Sequence, residues 1–161
     1  MRVILTGVLI LLLSACGFHL RGQTTLPFET LYVNASDSSA FATQLKRSLL
    51  AGTNAHLSNS PKDAQAIFDL VSETQDKQIL SVNTGGTVAE YELHYRVAFR
   101  VHDNQGHDWM PQTEIAIKRE VTYSDAQVLA KESEEALLYK DMQSDAVQQV
   151  MRRLSAAKDP L

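Results

Sequence analysis

The chain has 161 residues, with 15 Lys or Arg against 19 Asp or Glu, a net charge of −4 with histidine neutral, and one cysteine. An acidic balance without a basic excess argues against a nucleic-acid partner, and a single thiol excludes an internal disulfide. The fold must therefore stand on packing.

The first segment reads as a leader. Met1-Arg2 is a short basic start, and Val3 to Leu13 is almost continuous hydrocarbon, interrupted by Thr6 and Gly7. Crossing a bilayer core takes about 20 apolar residues, so the run is too short to span. It has the length and flanks of a secretory signal. It ends in Leu13-Ser14-Ala15-Cys16, which resembles the bacterial lipobox: a branched apolar residue, two small residues, then cysteine. In that pattern the thiol is diacylated, the chain is cut before the cysteine, and the new amine is acylated. Gly17, standing where aspartate would mark inner-membrane retention, resembles the outer-membrane sorting pattern. Each buried CH₂ contributes about 0.8 kcal/mol, so several acyl chains hold a protein on a membrane where one does not. Cys16 is expected to be the attachment site for outer-membrane lipid. The alternative is an ordinary signal peptide with an incidental cysteine.

Cleavage after residue 15 leaves 146 residues, with 14 basic and 19 acidic side chains. That is one domain's worth of chain. We expect a leader over 1–15, an acylated tether over 16–28, a single domain over 29–157 and a short tail over 158–161.

Within the domain, Thr30-Leu31-Tyr32-Val33 is a short β-rich run. The polar cluster from Asn34 to Asp37 can cap a helix, in which Phe41, Leu45, Leu49 and Leu50 share one face and Gly52 is a stop. Ala66 to Val71 is strand-like, and the chain stays extended towards Leu80. Asn83-Thr84-Gly85-Gly86 is a strong turn signal. Beyond it, Tyr91, Leu93, Tyr95, Val97, Phe99 and Val101 alternate with Glu90, Glu92, His94, Arg96, Ala98 and Arg100. This is the period of a strand with one apolar and one polar face. A loop over 102–112 precedes a partner strand with Ile115, Ile117, Val121 and Tyr123 on its apolar side, broken by Arg119.

From Ser124 or Asp125 the spacing predicts a long helix with Leu138, Met142, Val147, Val150, Met151 and Leu154 on its apolar side. Glu132, Glu134 and Glu135 near its start and Arg152, Arg153 and Lys158 near its end suit the helix dipole. The order β-α-β-β-β-α implies an α+β domain, with two helices packed on one face of a roughly four-stranded sheet and a polar opposite face.

Little here reads as catalytic. His102-Asp103 and His107-Asp108 share a loop, but their spacing fits no established metal pattern. There is no G-x-S-x-G elbow, P-loop or dinucleotide fingerprint. Neither a metal nor a cofactor is expected.

Recognition enters through three stretches. Cys16-Gly17-Phe18-His19-Leu20-Arg21-Gly22 closely resembles the start of mature chains of the LptE (RlpB) family of lipopolysaccharide-assembly lipoproteins. Gly86-Thr87-Val88-Ala89-Glu90-Tyr91 resembles that family's turn and A-E-Y strand start. Ala126-Gln127-Val128-Leu129-Ala130-Lys131-Glu132 resembles the stretch opening its last helix. The element order agrees as well. The resemblance implies an outer-membrane plug that sits in the lumen of the β-barrel LptD, helps that barrel fold, and accompanies lipopolysaccharide to the cell surface.

The family's ligand contacts are linked to basic residues in the turn before A-E-Y and near the start of the last helix. Lys131 matches the second position; otherwise it is a surface lysine pairing with Glu134 or Glu135. The turn departs from the family, having no basic residue, so Thr84, Gly85 and Gly86 would offer only backbone N–H groups to the anionic lipid A phosphates. Arg96, Lys118 and Arg119 are further candidates. Two other classes compete: an unrelated outer-membrane lipoprotein acting as a protein-binding module, and a periplasmic enzyme using a residue such as His94 or Glu92.

Overall fold

A computed structural model describes residues 24–158, so the apolar leader, Cys16 and the stretch to Gly22 lie outside the described residues. In chain order the elements are β1 (Thr30–Asn34), α1 (Ala40–Gly52), β2 (His56–Leu57), β3 (Ala66–Val82), β4 (Val88–His102), β5 (Asp108–Thr122) and α2 (Val128–Ser155). The sheet order is β2-β1-β3-β4-β5. β1 lies parallel to β2 and β3, while β3, β4 and β5 form an antiparallel meander. The α+β arrangement is the expected one, enlarged by β2. A two-residue strand leaves no periodicity to read.

The helices bury the sheet face that the alternation in β4 marks. Leu93, Tyr95, Val97, Phe99 and Val101 are buried there, beside Ile115, Ile117 and Val121 of β5. Phe68 of β3 stacks on Phe99 with ring centroids 5.1 Å apart. α1 starts at Ser39, whose Oγ accepts from the Ala42 N–H at 3.0 Å. It turns Phe41, Ala42, Leu45 and Leu49 inward. Leu50, expected on the same face, is 63% exposed. At 100° per residue, Phe41, Ala42, Leu45 and Leu49 fall within an arc of about 100°, and Leu50 lies about 80° beyond it. α2 contributes Met142, Ala146, Val147, Val150 and Leu154.

Two boundaries differ from expectation. β5 begins at Asp108 rather than near residue 113, and the loop shrinks to residues 103–107. Asp103 Oδ1 closes that turn by accepting from the N–H groups of Gln105 (2.7 Å) and His107 (2.8 Å). Pro111 is tolerated because β5 is an outer strand with one edge unpaired. α2 begins at Val128, after a 3-10 turn over Asp125–Gln127, and Ser124 makes no side-chain cap. Glu132, Glu134 and Glu135 therefore lie beyond the first turn, where the dipole acts most strongly.

The molecule has a long axis. β3, with 17 residues, extends about 55 Å, and the shorter α1 covers only part of it. The two helices run parallel: Gln44 bonds Ser144 at 2.9 Å and Gln143 at 2.7 Å, and Gly52 packs against Met151. The chain enters where both helices end, with the Thr24 N–H donating to the Gly52 carbonyl at 2.8 Å. The loop at 103–107 shares this end. The turn at 83–87 and the start of α2 lie at the other.

Candidate functional site

At the far end, Lys131 of α2 reaches back to the sheet. Its side chain is 17% exposed, and Nζ donates to Glu134 Oε2 at 2.8 Å and to Thr122 Oγ1 at 3.1 Å. The surface pairing with Glu134 is thus present. Lys77 approaches from β3, donating to Glu135 Oε2 at 2.7 Å. That hydrogen bond holds its pKa above the ordinary lysine value. Its Nζ also sits 4.8 Å from the centroid of the Tyr91 ring, within cation–π range, and Tyr91 meets Tyr123 edge to face at 5.3 Å.

Two ammonium groups therefore flank an aromatic pair, over a small cleft walled by Val121 and Val128 together with Thr122, Glu132 and Glu135. The cleft adjoins an open groove of about 600 Å³ between β3 and α2, lined by Gln75, Tyr139 and Gln143 among others. Tyr139 closes the floor by donating to the Asp76 carbonyl at 2.8 Å. Burial, with the charges of Glu135 and Asp76, raises its pKa.

The turn beside this cleft is self-contained. Gly86 adopts φ +78, which suits a residue without Cβ. Asn83 Oδ1 accepts from the N–H groups of Gly85 (2.9 Å) and Thr87 (3.2 Å), and the Asn83 carbonyl accepts from Gly86 at 3.0 Å. The Gly85 and Gly86 donors point inward in this conformation.

Arg96, Lys118 and Arg119 do not join this group. Arg96 pairs with Asp76 at 2.6 Å and Lys118 with Glu92 at 2.9 Å, on the helix-free face. Arg119 lies on the helix side, where it pairs with Asp145 of α2 at 2.7 Å. The Lys118 hydrogen bond is the main reason that Glu92 has a lowered pKa. His94, expected on a solvated face, is only 7% exposed. It lies between Asp76 and Lys118 in the sheet register, and the longer side chains beside it close over the ring. Its Nε2 is 2.7 Å from Glu92 Oε1, but off the line a hydrogen bond requires.

A second, half-buried network carries no signal in the sequence. The Tyr95 hydroxyl donates to Glu73 Oε1 at 2.7 Å, and Ser39 Oγ donates to Glu73 Oε2 at 2.8 Å. One carboxylate thus ties β3, β4 and the start of α1 together. His102 and His107 go to different carboxylates, Asp69 and Asp103, each at 2.9 Å. Among the described residues, no group of three His, Cys, Asp or Glu is placed to hold a metal ion.

Two parallel helices on a five-stranded sheet, with charged groups paired across it and a cleft of paired lysines and glutamates around two tyrosines at one end, define an α+β binding domain. The model of the family described as "LptE: Lipopolysaccharide-assembly" matches residues 28–154, and the chain belongs to that family. It is similar to the LPS-assembly lipoprotein LptE of Yersinia enterocolitica, 31% identical over 156 residues, covering 94% of this chain and 74% of the relative. Among solved structures, lipoprotein B from Nitrosomonas europaea superposes with a TM-score of 0.76 at 42% identity, covering 87% of this chain and 91% of that one. The rare lipoprotein B from Shewanella oneidensis gives 0.70 at 26% identity, covering 80% and 95%.

Proposed function

We propose that this protein is an outer-membrane lipoprotein, anchored through an acylated Cys16, that plugs the lumen of the β-barrel LptD, assists its assembly and takes part in delivering lipopolysaccharide to the cell surface. Family membership over residues 28–154 carries this reading. The pairing on the helix-free face supports it physically. Enclosing a charged surface costs desolvation, and the cost is tolerable when each ion already has its counterion. Arg96–Asp76 and Lys118–Glu92 meet that condition before any partner arrives.

Lipopolysaccharide enters at the far end. Lys131 and Lys77 offer charge-assisted donors to lipid A phosphates, the tyrosine pair offers apolar contact, and Thr84 at the adjacent turn adds a polar rim. A phosphate reaching Lys131 must displace Glu134, so the ion pair tempers affinity and favours release. The length of β3 suits a plug, since about 55 Å exceeds a hydrocarbon core of about 30 Å.

The plug reading is tested by a photo-crosslinking residue placed at Ala116, on the helix-free face opposite Arg96 and two residues from Lys118. The expected product in intact cells is an adduct of the barrel with this chain. Capture of other proteins only, with the folded chain present in the membrane, contradicts enclosure of that face.

A further inference from the structure

Basic side chains on the sheet and at the far end are each neutralised: Lys77, Arg96, Arg100, Lys118, Arg119 and Lys131 all lie against a carboxylate. At the end where the chain enters, the pattern reverses. Arg47 on α1, Lys62 before β3, and Arg152 and Lys158 at the close of α2 are exposed, and none forms an ion pair among the described residues. Of the acids at this end, Asp108 is taken by Arg100, and Asp103 by His107 and two backbone N–H groups. Among the described residues Glu29, Asp63 and Glu114 remain, against those four cations and Arg153, and Asp159 follows Lys158 in the sequence. The opposite end is acidic, with Glu132, Glu134 and Glu135 crowding the start of α2.

The tether fixes what this basic end can meet. Thr24 is held by its N–H to Gly52 and by a bridge to Thr53. Cys16 lies eight positions before it, and a fully extended chain over eight steps reaches at most about 29 Å. An acyl anchor at Cys16 therefore keeps the basic end close to one leaflet.

We infer that the surface bearing Arg47, Lys62, Arg152 and Lys158 docks on the anionic phospholipid headgroups of the leaflet that holds the acyl chains. The inference rests on the Cys16 anchor proposed above. Each Lys or Arg near an anionic surface shifts the bound population about fivefold, and the effect falls off within a Debye length. Anchor and basic patch then act as two signals, the first holding the protein on the membrane and the second setting which end faces it.

The test uses the mature acylated protein reconstituted in phosphatidylcholine vesicles, with or without phosphatidylglycerol, that carry a dansyl headgroup acceptor. Trp109, the only tryptophan of the chain, opens β5 at the basic end and serves as donor. Energy transfer is expected to rise about twofold with phosphatidylglycerol and to return to the neutral-lipid value in about 0.5 M salt. The triple variant Arg47→Glu, Arg152→Glu, Lys158→Glu is expected to lose the rise while keeping the helical circular dichroism. The corresponding glutamine variants, gentler on the helix ends, should lose part of it. Lys140→Glu, also unpaired but midway along α2, should retain it. Transfer that ignores phosphatidylglycerol, or that survives the triple reversal in a folded protein, overturns the inference. Intact mass separates the two readings: with acyl groups present, insensitive transfer overturns docking alone, and their absence overturns the anchor and docking together.

Discussion

Lys77 on β3 and Glu135 on α2 meet at 2.7 Å although 58 residues separate them. The contact brings the far end of the meander and the first turns of the last helix into one cleft, where lysines paired with glutamates surround two tyrosines. Lys77 also holds its ammonium over Tyr91, so the same side chain positions the ring.

If this cleft receives lipid A phosphates, Lys77→Met and Lys131→Met should each weaken binding of fluorescent lipopolysaccharide by roughly tenfold, the worth of a charge-assisted hydrogen bond. Titration of the purified variants reads the effect. Unchanged affinity in both would remove the cleft from the ligand path.

Glu134 competes with the ligand for Lys131 across 2.8 Å. Replacing it by glutamine frees the ammonium at little structural cost, because an exposed ion pair is worth about 1 kcal/mol or less. Glu134→Gln should bind lipopolysaccharide about twofold more tightly and release it more slowly in a stopped-flow chase. Weaker binding by this variant would place Glu134 among the contacts.

Tyr95→Phe removes the buried hydroxyl that donates to Glu73 and should cost about 2 kcal/mol in urea unfolding. It should also change the alkaline limb. Burial, with the Glu73 hydrogen bond second, raises the Tyr95 pKa above its ordinary value of 10.0. Above that pH the unfolded chain loses its phenolic proton first, so the folded state, which still holds its own, is progressively destabilised. The variant should lose this component of the slope above pH 10.0.

Glu92 shows the opposite sign. Its folded pKa lies below the ordinary 4.5, chiefly because Lys118 donates to it. The stability it contributes is present above 4.5 and is lost as pH falls through the lowered folded value. Thermal unfolding should therefore separate wild type from Glu92→Gln at neutral pH and bring them together in strong acid. A gap that widens in acid would contradict the Lys118–Glu92 assignment.

The parts of the fold legible in the sequence were those with an unbroken period. The alternation through β4 names the buried face, and α2 buries the stripe from Met142 to Leu154. Lys77 was hidden by a β-bulge. Ala66, Phe68 and Leu70 face the helices, but the register shifts between Leu70 and Ser72, and beyond it Glu73, Gln75 and Lys77 take that side. One extra residue exchanges the two faces, and no local pattern marks it. The start of β5 was masked by Gly106 and Pro111, residues that signal a loop unless the strand lies at an edge. The burial of His94 depends on neighbours from two other strands. Of the site residues read from sequence, Lys131 and the 83–87 turn share the far end, while Arg96, Lys118 and Arg119 lie along the sheet in ion pairs that depend on long-range register.

The proposed function turns on enclosure of this chain in an LptD barrel. Its most direct test is extraction of the acylated protein from outer membranes in mild detergent, followed by size exclusion and mass spectrometry of the peak. A stoichiometric complex with a barrel of LptD size is expected. A lone species, reproducible across detergents from cells that make both proteins, would contradict it.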